Sequence, residues 1–413
     1  MTWGRSVLCA TFIAPPFHRY SSNTKVLLHV LFIPKWWPNA NDPQLGDFLR
    51  KQALAAASRT KVSVLHVHAD KRPAARYGAV VSEEAGLWEV TSSYPASEMG
   101  FGPLRKMVNL FRYRTAALRG WERLTLERGK PDLVHVHIMV RPALLALWIK
   151  RRSRVPYIIS EQSSEYLDGK YAGKSAAFKM LSKAVFRRAS AVVAVSPFLG
   201  DALVAHGLCN EYKVVPNVIP GLDRPLPPPG SPGHFLVVAD LVDRTKNVSG
   251  VLRAMAQARK QEQRIQLTVI GDGPDRAALE QLTGDLGISD SVTFLGRLAN
   301  RDVLDRMAHA ASVIINSNVE TFSVVTGEAL AQGKPVIATR CGGPMAFVTP
   351  ENGLLINTRD DDALARAMVD LTQNADRYSA ASIRDSVNSR SSPEAVGRTL
   401  LELYTAIVAS TDA

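Results

Sequence analysis

Short apolar runs rich in Val, Ile and Leu alternate with amphipathic stretches through nearly the whole chain, and this alternation happens twice. In the first half the runs fall at 25–33, 61–66, 132–137, 155–160, 191–196 and 212–216. In the second half they fall at 234–239, 265–270, 291–295, 312–316, 335–339 and 353–356. They show little polar alternation, which suits strands buried on both faces of a parallel sheet. The stretches between them have helical spacing, for example 44–58, 248–261 and 275–286. A strand–helix pattern repeated this way predicts two doubly wound α/β domains.

The break between the two halves is PGLDRPLPPPGSPG, at 220–233. Proline and glycine at that density continue neither sheet nor helix, so the segment is expected to be a linker. The domains are then 25–219 and 234–390, and a last helical segment, 391–413, is expected to pack back toward the first domain. Residues 1–24 are expected to be a disordered leader. They hold a short apolar run at 7–14, but a thin charged region and no clear cleavage site argue against a signal peptide.

A length of 413 residues accommodates two such domains. The cysteines are Cys9, Cys209 and Cys341, a sparse odd set without a C-x-x-C spacing. They give neither a disulfide framework nor a zinc site, and they fit a reducing cytoplasm. The net charge of +12 is unevenly spread. Residues 101–190 hold 19 Lys and Arg against 6 Asp and Glu, which leaves the rest of the chain near neutral. A basic half-domain points to an anionic partner: nucleic acid, a phosphorylated substrate or a membrane surface. Solvated helix faces account equally well for any single helix.

Ligands of doubly wound folds bind beyond the carboxyl ends of the strands, so the loops after strands are where chemistry is expected. Arg244 and Lys246 follow the run 234–239 and precede a helix, a placement that suits phosphate. Gly271 and Gly273 follow 265–270 and permit a tight turn and close backbone approach. After 312–316 comes ETFSVVTGEAL, in which Ser323 is expected to cap a helix over 324–332. Glu320 would then stand in the loop and Glu328 inside the helix. Gly342 and Gly343, after 335–339, would again let backbone approach a ligand. Taken singly, each of these loops is also explained as an ordinary turn or surface pair.

Together, and in this order, they resemble the nucleotide-sugar domain of the retaining glycosyltransferases of family 4. The resemblance is carried by Lys246-Asn247, Gly271-Asp272-Gly273-Pro274, Phe294-Leu295-Gly296, and Glu320 with Glu328 at the family's E-x7-E spacing. It continues through Ala329 to Val336, Gly342-Gly343 and Asn352-Gly353-Leu354-Leu355. The first half matches more loosely, through Gly46, the stretch Asp132 to His137, Val195-Ser196 and Pro216-Asn217. Such proteins have the GT-B fold, two Rossmann-like domains facing a cleft.

The resemblance implies a sugar transfer from a UDP- or GDP-sugar to a hydroxyl of a saccharide or lipid-linked acceptor. The leaving diphosphate would assist attack on the same face. Glu320 would hold the donor sugar and Glu328 the ribose hydroxyls, since one carboxylate accepts two such bonds. The backbone at Thr321, Phe322, Ser323 and Val324 would meet the sugar and diphosphate. Lys246 and Arg244 would offset the diphosphate charge. Gly46 and Gly271 would let backbone approach it, and Leu298 would lie by the base. His137 would face the cleft, and Glu161 would reach the acceptor. No cofactor or metal is expected, because no Asp-x-Asp follows a strand and no His/Cys cluster is present.

The chain departs from the family at Ala239-Asp240, where Gly-Arg is usual, so Arg244 would have to fold back as a substitute. It departs again at Ser323, where the usual glycine is replaced with little expected steric consequence, and at Pro344-Met345-Ala346, which lacks an acid. The basic helical stretches at 104–128 and 172–188 would lie on an anionic membrane, at its cytoplasmic face. A sugar-nucleotide epimerase or an inverting transferase remains an alternative on the same fold. A nucleic-acid-binding protein is a more distant one, since no recognised binding module is present.

Overall fold

The computed structural model describes residues 27–39, 42, 44–70 and 77–412. The expected leader, with its apolar run and Cys9, lies outside the described residues. The first unit runs β1 (His29–Pro34), α1 (Asp47–Ala57), β2 (Lys61–Asp70), β3 (Ala79–Glu84), β4 (Leu87–Pro95), α2 (Gly102–Arg128), β5 (Leu133–His137) and α3 (Arg141–Ser153). It continues through β6 (Tyr157–Glu161), α4 (Ala176–Phe186), β7 (Ala191–Ala194), α5 (Pro197–Ala205) and β8 (Lys213–Val214). The second unit runs β9 (His234–Val238), α6 (Asp243–Lys246), α7 (Val248–Ala258), β10 (Gln266–Ile270), α8 (Arg276–Asp285), β11 (Val292–Gly296), α9 (Asn300–His309) and β12 (Ser312–Ile315). It ends with α10 (Val324–Ala331), β13 (Val336–Thr339), β14 (Gly353–Ile356), α11 (Asp361–Gln373), α12 (Ala380–Ser391) and α13 (Pro393–Asp412).

The strands of β1, β5, β6, β12 and β13 are buried at every position, which is why their sequences carry no alternation. They belong to two sheets, in the orders β3-β4-β2-β1-β5-β6-β7-β8 and β11-β10-β9-β12-β13-β14. Every pairing is parallel except β3 with β4. Each order reverses at its own first strand, between β1 and β5 and between β9 and β12. A crevice opens at such a switch point.

The β3–β4 hairpin is not foreshadowed in the sequence. Its turn is Ala85-Gly86, with φ of 51° and 80°. Asn-Gly or Asp-Gly is the usual sign of such a turn, and an alanine in the first position hides it. The run at 212–216 shrinks to Lys213–Val214, since Pro216 has no N–H to extend the ladder.

Helices α2, α3 and α4 share the core on one face of the first sheet, and α1 and α13 share the core on the other. α13 crosses back from the second unit. Gly397 makes this possible, because a Cβ there would stand 2.3 Å from the Ala55 carbonyl oxygen. Further along α13, Tyr404 OH shares a 2.7 Å hydrogen bond with His135 Nδ1 of β5. The segment 220–233 is fastened to the second unit. Gln332 Nε2 donates to Gly221 O at 3.2 Å, and Lys334 Nζ donates to Pro228 O at 3.0 Å.

Candidate active site

Two adjoining cavities, of about 410 Å³ and 340 Å³, lie between the units and share Phe48, Asp240, Lys246, Val324 and Val325. The larger is closed by Trp36 and Gln162 from the first unit and by Ser317 and the segment 320–325 from the second. The smaller takes Lys51 from α1, with Gly271, Arg297, Leu298, Asn300 and Glu328 opposite. The second-unit walls come from the carboxyl ends of β9, β10 and β12, from the loops after strands, and from the helices that follow them.

Glu320 stands at the larger cavity. Its Oε1 accepts from Lys246 Nζ at 2.6 Å and from Ser317 Oγ at 2.7 Å. Each donor is itself held. Ser317 O accepts from Thr339 Oγ1 at 2.6 Å, and the loop before Lys246 is closed by Asp243, whose Oδ1 accepts from Ser249 N at 2.8 Å. Charge-assisted bonds of this length fix the carboxylate in one orientation. Thr321, Phe322, Ser323 and Val324 line the same cavity.

Glu328 stands at the smaller cavity, eight residues and one helix start away. Burial raises its pKa to about 6, against the opposing effect of the Asn300 amide, which donates to Oε1 at 2.7 Å. Gly271 and Leu298 line this cavity too. A Cβ on Gly271 would stand 1.8 Å from the Ala239 carbonyl, so the glycine is required by the neighbouring loop.

Several expectations are corrected. Ser323 precedes α10, but its side chain caps no backbone N–H and instead shares a 2.8 Å bond with Thr326 Oγ1. Its φ is 68°, a left-handed conformation that disfavours any side chain, so the exchange of glycine for serine does carry a steric cost. Gly342 and Gly343 give close approach to protein rather than to a ligand. A Cβ on Gly342 would meet the Phe198 ring at 2.3 Å, and one on Gly343 would meet the Phe322 backbone at 2.4 Å. Gly46 likewise makes room for the Trp36 carbonyl, 2.5 Å from where its Cβ would be, and does not line either cavity.

Arg244 is exposed and lines neither cavity, because α6 turns it outward. The cation beside Asp240 is Arg297, at 3.2 Å. His137 does not face the cleft. Its ring stacks on Phe32 at 4.7 Å between centroids and is wholly buried, since residues 135 and 137 of β5 point to the α1 and α13 side. Burial pulls its pKa down to about 3, and both ring nitrogens lack partners. Glu161 is also wholly buried. Its Oε1 accepts from Met139 N at 2.8 Å and Tyr166 OH at 3.2 Å, and burial pushes its pKa up to about 7.

Residues 222–385 match the family model for glycosyl transferases group 1, and residues 46–218 match that for the glycosyl transferase 4-like domain. The two units of the chain are thus matched, one each, by two glycosyltransferase domain models. Among its relatives is the lipopolysaccharide core biosynthesis glycosyltransferase LpsD of Rhizobium meliloti, 30% identical over 52% of this chain and 63% of that protein. Another is the alpha-monoglucosyldiacylglycerol synthase of Streptococcus pneumoniae, 27% identical over 55% of this chain and 56% of that protein. The chain spans about half the length of the curated relatives it matches. The sucrose-phosphate synthase structure from Thermosynechococcus elongatus superposes with a TM-score of 0.71 at 19% identity, covering 93% of this chain and all of that one. HepE of Anabaena, solved with UDP, gives 0.67 at 17% identity over 92% of this chain and all of that one. The fold of these structures is GT-B.

The cleft also holds residues that the sequence did not single out. Trp36, Phe48 and Lys51 come from the first unit and carry no motif. Gln162 lies in a stretch that drew attention for Glu161. Asn300 could have been found only by asking what keeps a buried Glu328 satisfied.

Proposed function

We propose that the chain transfers a sugar from a nucleoside-diphosphate sugar to a hydroxyl with retention of configuration. The bond between the anomeric carbon and the diphosphate oxygen breaks, and the acceptor oxygen bonds to the same face of that carbon. The acceptor proton passes to the departing diphosphate. The observation that carries this reading is the placement of Glu320 and Glu328 in adjoining cavities with the start of α10 between them.

Glu320 is assigned to the sugar hydroxyls. Glu328 is assigned to the ribose, where the two hydroxyls would replace Asn300 as its partners. Lys246, Arg297 and the amides at the start of α10 offset the diphosphate charge without a bound metal. Anabaena HepE has been solved with UDP and with UDP-glucose, which supports a nucleotide sugar as donor.

The relatives include proteins named as a lipopolysaccharide core biosynthesis glycosyltransferase and a monoglucosyldiacylglycerol synthase, names that support a saccharide or lipid-linked acceptor. Among the described residues no helix is long and apolar enough to cross a membrane. The basic helices α2 and α4 are assigned to the surface of an anionic membrane, on its cytoplasmic side.

The test is a panel of nucleotide sugars in thermal shift, followed by product stereochemistry for the donor that stabilises. Glu320→Gln is expected to abolish transfer while nucleotide affinity is kept. An inverted product, or normal transfer by this variant, overturns the assignment.

A further inference from the structure

Away from the cleft, α2 and α3 enclose an apolar slot of about 300 Å³. Leu110, Phe111, Leu118, Leu144 and Trp148 line it, together with the exposed Arg114. The volume is at the lower end of the roughly 300–1,000 Å³ of small-molecule sites. At its rim Phe111 is 62% exposed, and outside it Phe101 is 68% exposed and Met107 51%. Scattered exposed apolar residues are normal, but a cluster on one half of one helix marks a contact surface.

The charges beside this cluster are all of one sign. Residues 99–119 contain five Lys and Arg and no Asp or Glu. Among the described residues no ion pair engages Arg105, Lys106 or Arg114. Free cations next to an apolar slot match an amphiphile that has an anionic head and a hydrocarbon chain. A single acyl chain alone gives only marginal binding to a bilayer, and a basic patch supplies the second signal. A nucleic acid would use the cations and leave the slot without a role.

The location adds a reason. α2 and α3 begin after the carboxyl ends of β4 and β5, and the slot involves the first half of α3 and the middle of α2. Both helices thus leave the sheet at the end that faces the cleft. We propose that the slot takes one acyl chain of an anionic bilayer phospholipid, with Arg105, Lys106 and Arg114 at its phosphate. This rests on the membrane assignment above and sharpens it to a site.

The experiment uses the full chain and vesicles of phosphatidylglycerol brominated on the acyl chain. Bromine within the slot quenches Trp148, so the parent is expected to lose emission that the Trp148→Phe variant does not lose. Leu144→Glu is expected to weaken vesicle binding about tenfold, with donor binding unchanged. Reversing the charges of Arg105 and Lys106 should also weaken it, and phosphatidylcholine vesicles should not quench. If the Leu144 variant fails to fold, the comparison of parent with Trp148→Phe still decides. Vesicle binding without quenching of Trp148 overturns the slot and leaves the membrane assignment standing. No binding to anionic vesicles overturns both. A dimer in light scattering that Leu144→Glu dissociates would assign the slot to a second copy of the chain, against the proposal.

Discussion

Glu328 and Glu161 are two carboxyls whose burial sets opposite consequences. Glu328 is expected to bind ribose as a carboxylate, and its pKa of about 6 in the free protein makes that pH-dependent. Nucleotide affinity should fall as pH drops below about 6, by up to roughly tenfold per unit, in a titration by calorimetry. A pH-independent affinity would remove Glu328 from the ribose. Glu161 lines neither cleft cavity and bears on stability instead. Its folded-state pKa, about 7, lies above the ordinary 4.5. The folded chain thus binds this proton more tightly than the unfolded chain. The resulting stabilisation is complete below the ordinary value, is lost as pH rises to about 7, and amounts to up to roughly 3 kcal/mol. Glu161→Gln keeps an acceptor for Met139 N and removes the titration. Its melting temperature should exceed the parent's at about pH 8 and match it in acid.

The loop from Glu320 to Phe322 has its shape because another loop presses on it. Glu320 N donates to Cys341 O, and Gly343 N donates back to Glu320 O, both at 2.9 Å. Phe198 at the start of α5 closes over Gly342, whose φ is 112°. Gly342→Ala therefore meets both a forbidden backbone angle and the Phe198 ring. It should cost roughly 2–4 kcal/mol in denaturant unfolding and displace Glu320 from the cavity. Loss of transfer should exceed loss of stability, since the variant retains Lys246 but misplaces its partner. The glycine pair was legible in the sequence. Its purpose was not, because a glycine beside a strand end reads the same whether backbone or ligand approaches it.

The two units are joined by more than the segment between them. α13 completes the core of the first sheet, and Ser196 Oγ donates to Thr321 O across the cleft. Removing one hydroxyl from α13 tests that coupling. Tyr404→Phe leaves His135 Nδ1 buried without its partner and should cost about 1–3 kcal/mol. The loss should appear in the unfolding of the first sheet, although the substitution lies at the far end of the chain. An unchanged melting curve would mean that α13 is dispensable there.

The sequence by itself determined the two α/β units, nearly every buried strand, and the second-unit acids and lysine that meet at the cleft. Those features depend on local periodicity and on short loops after strands, which one chain segment can declare. Tertiary structure alone decided which side of a strand end is open. His137 and Glu161 end strands as cleft residues would, yet they are sealed, because the His137 ring packs against Phe32 and His135, and Tyr166 in the turn after β6 covers Glu161. It also decided that Arg297, and not Arg244, stands beside Asp240. A cation's position relative to a cavity depends on how distant loops fold together, and neither residue's own neighbours in the sequence carry that information.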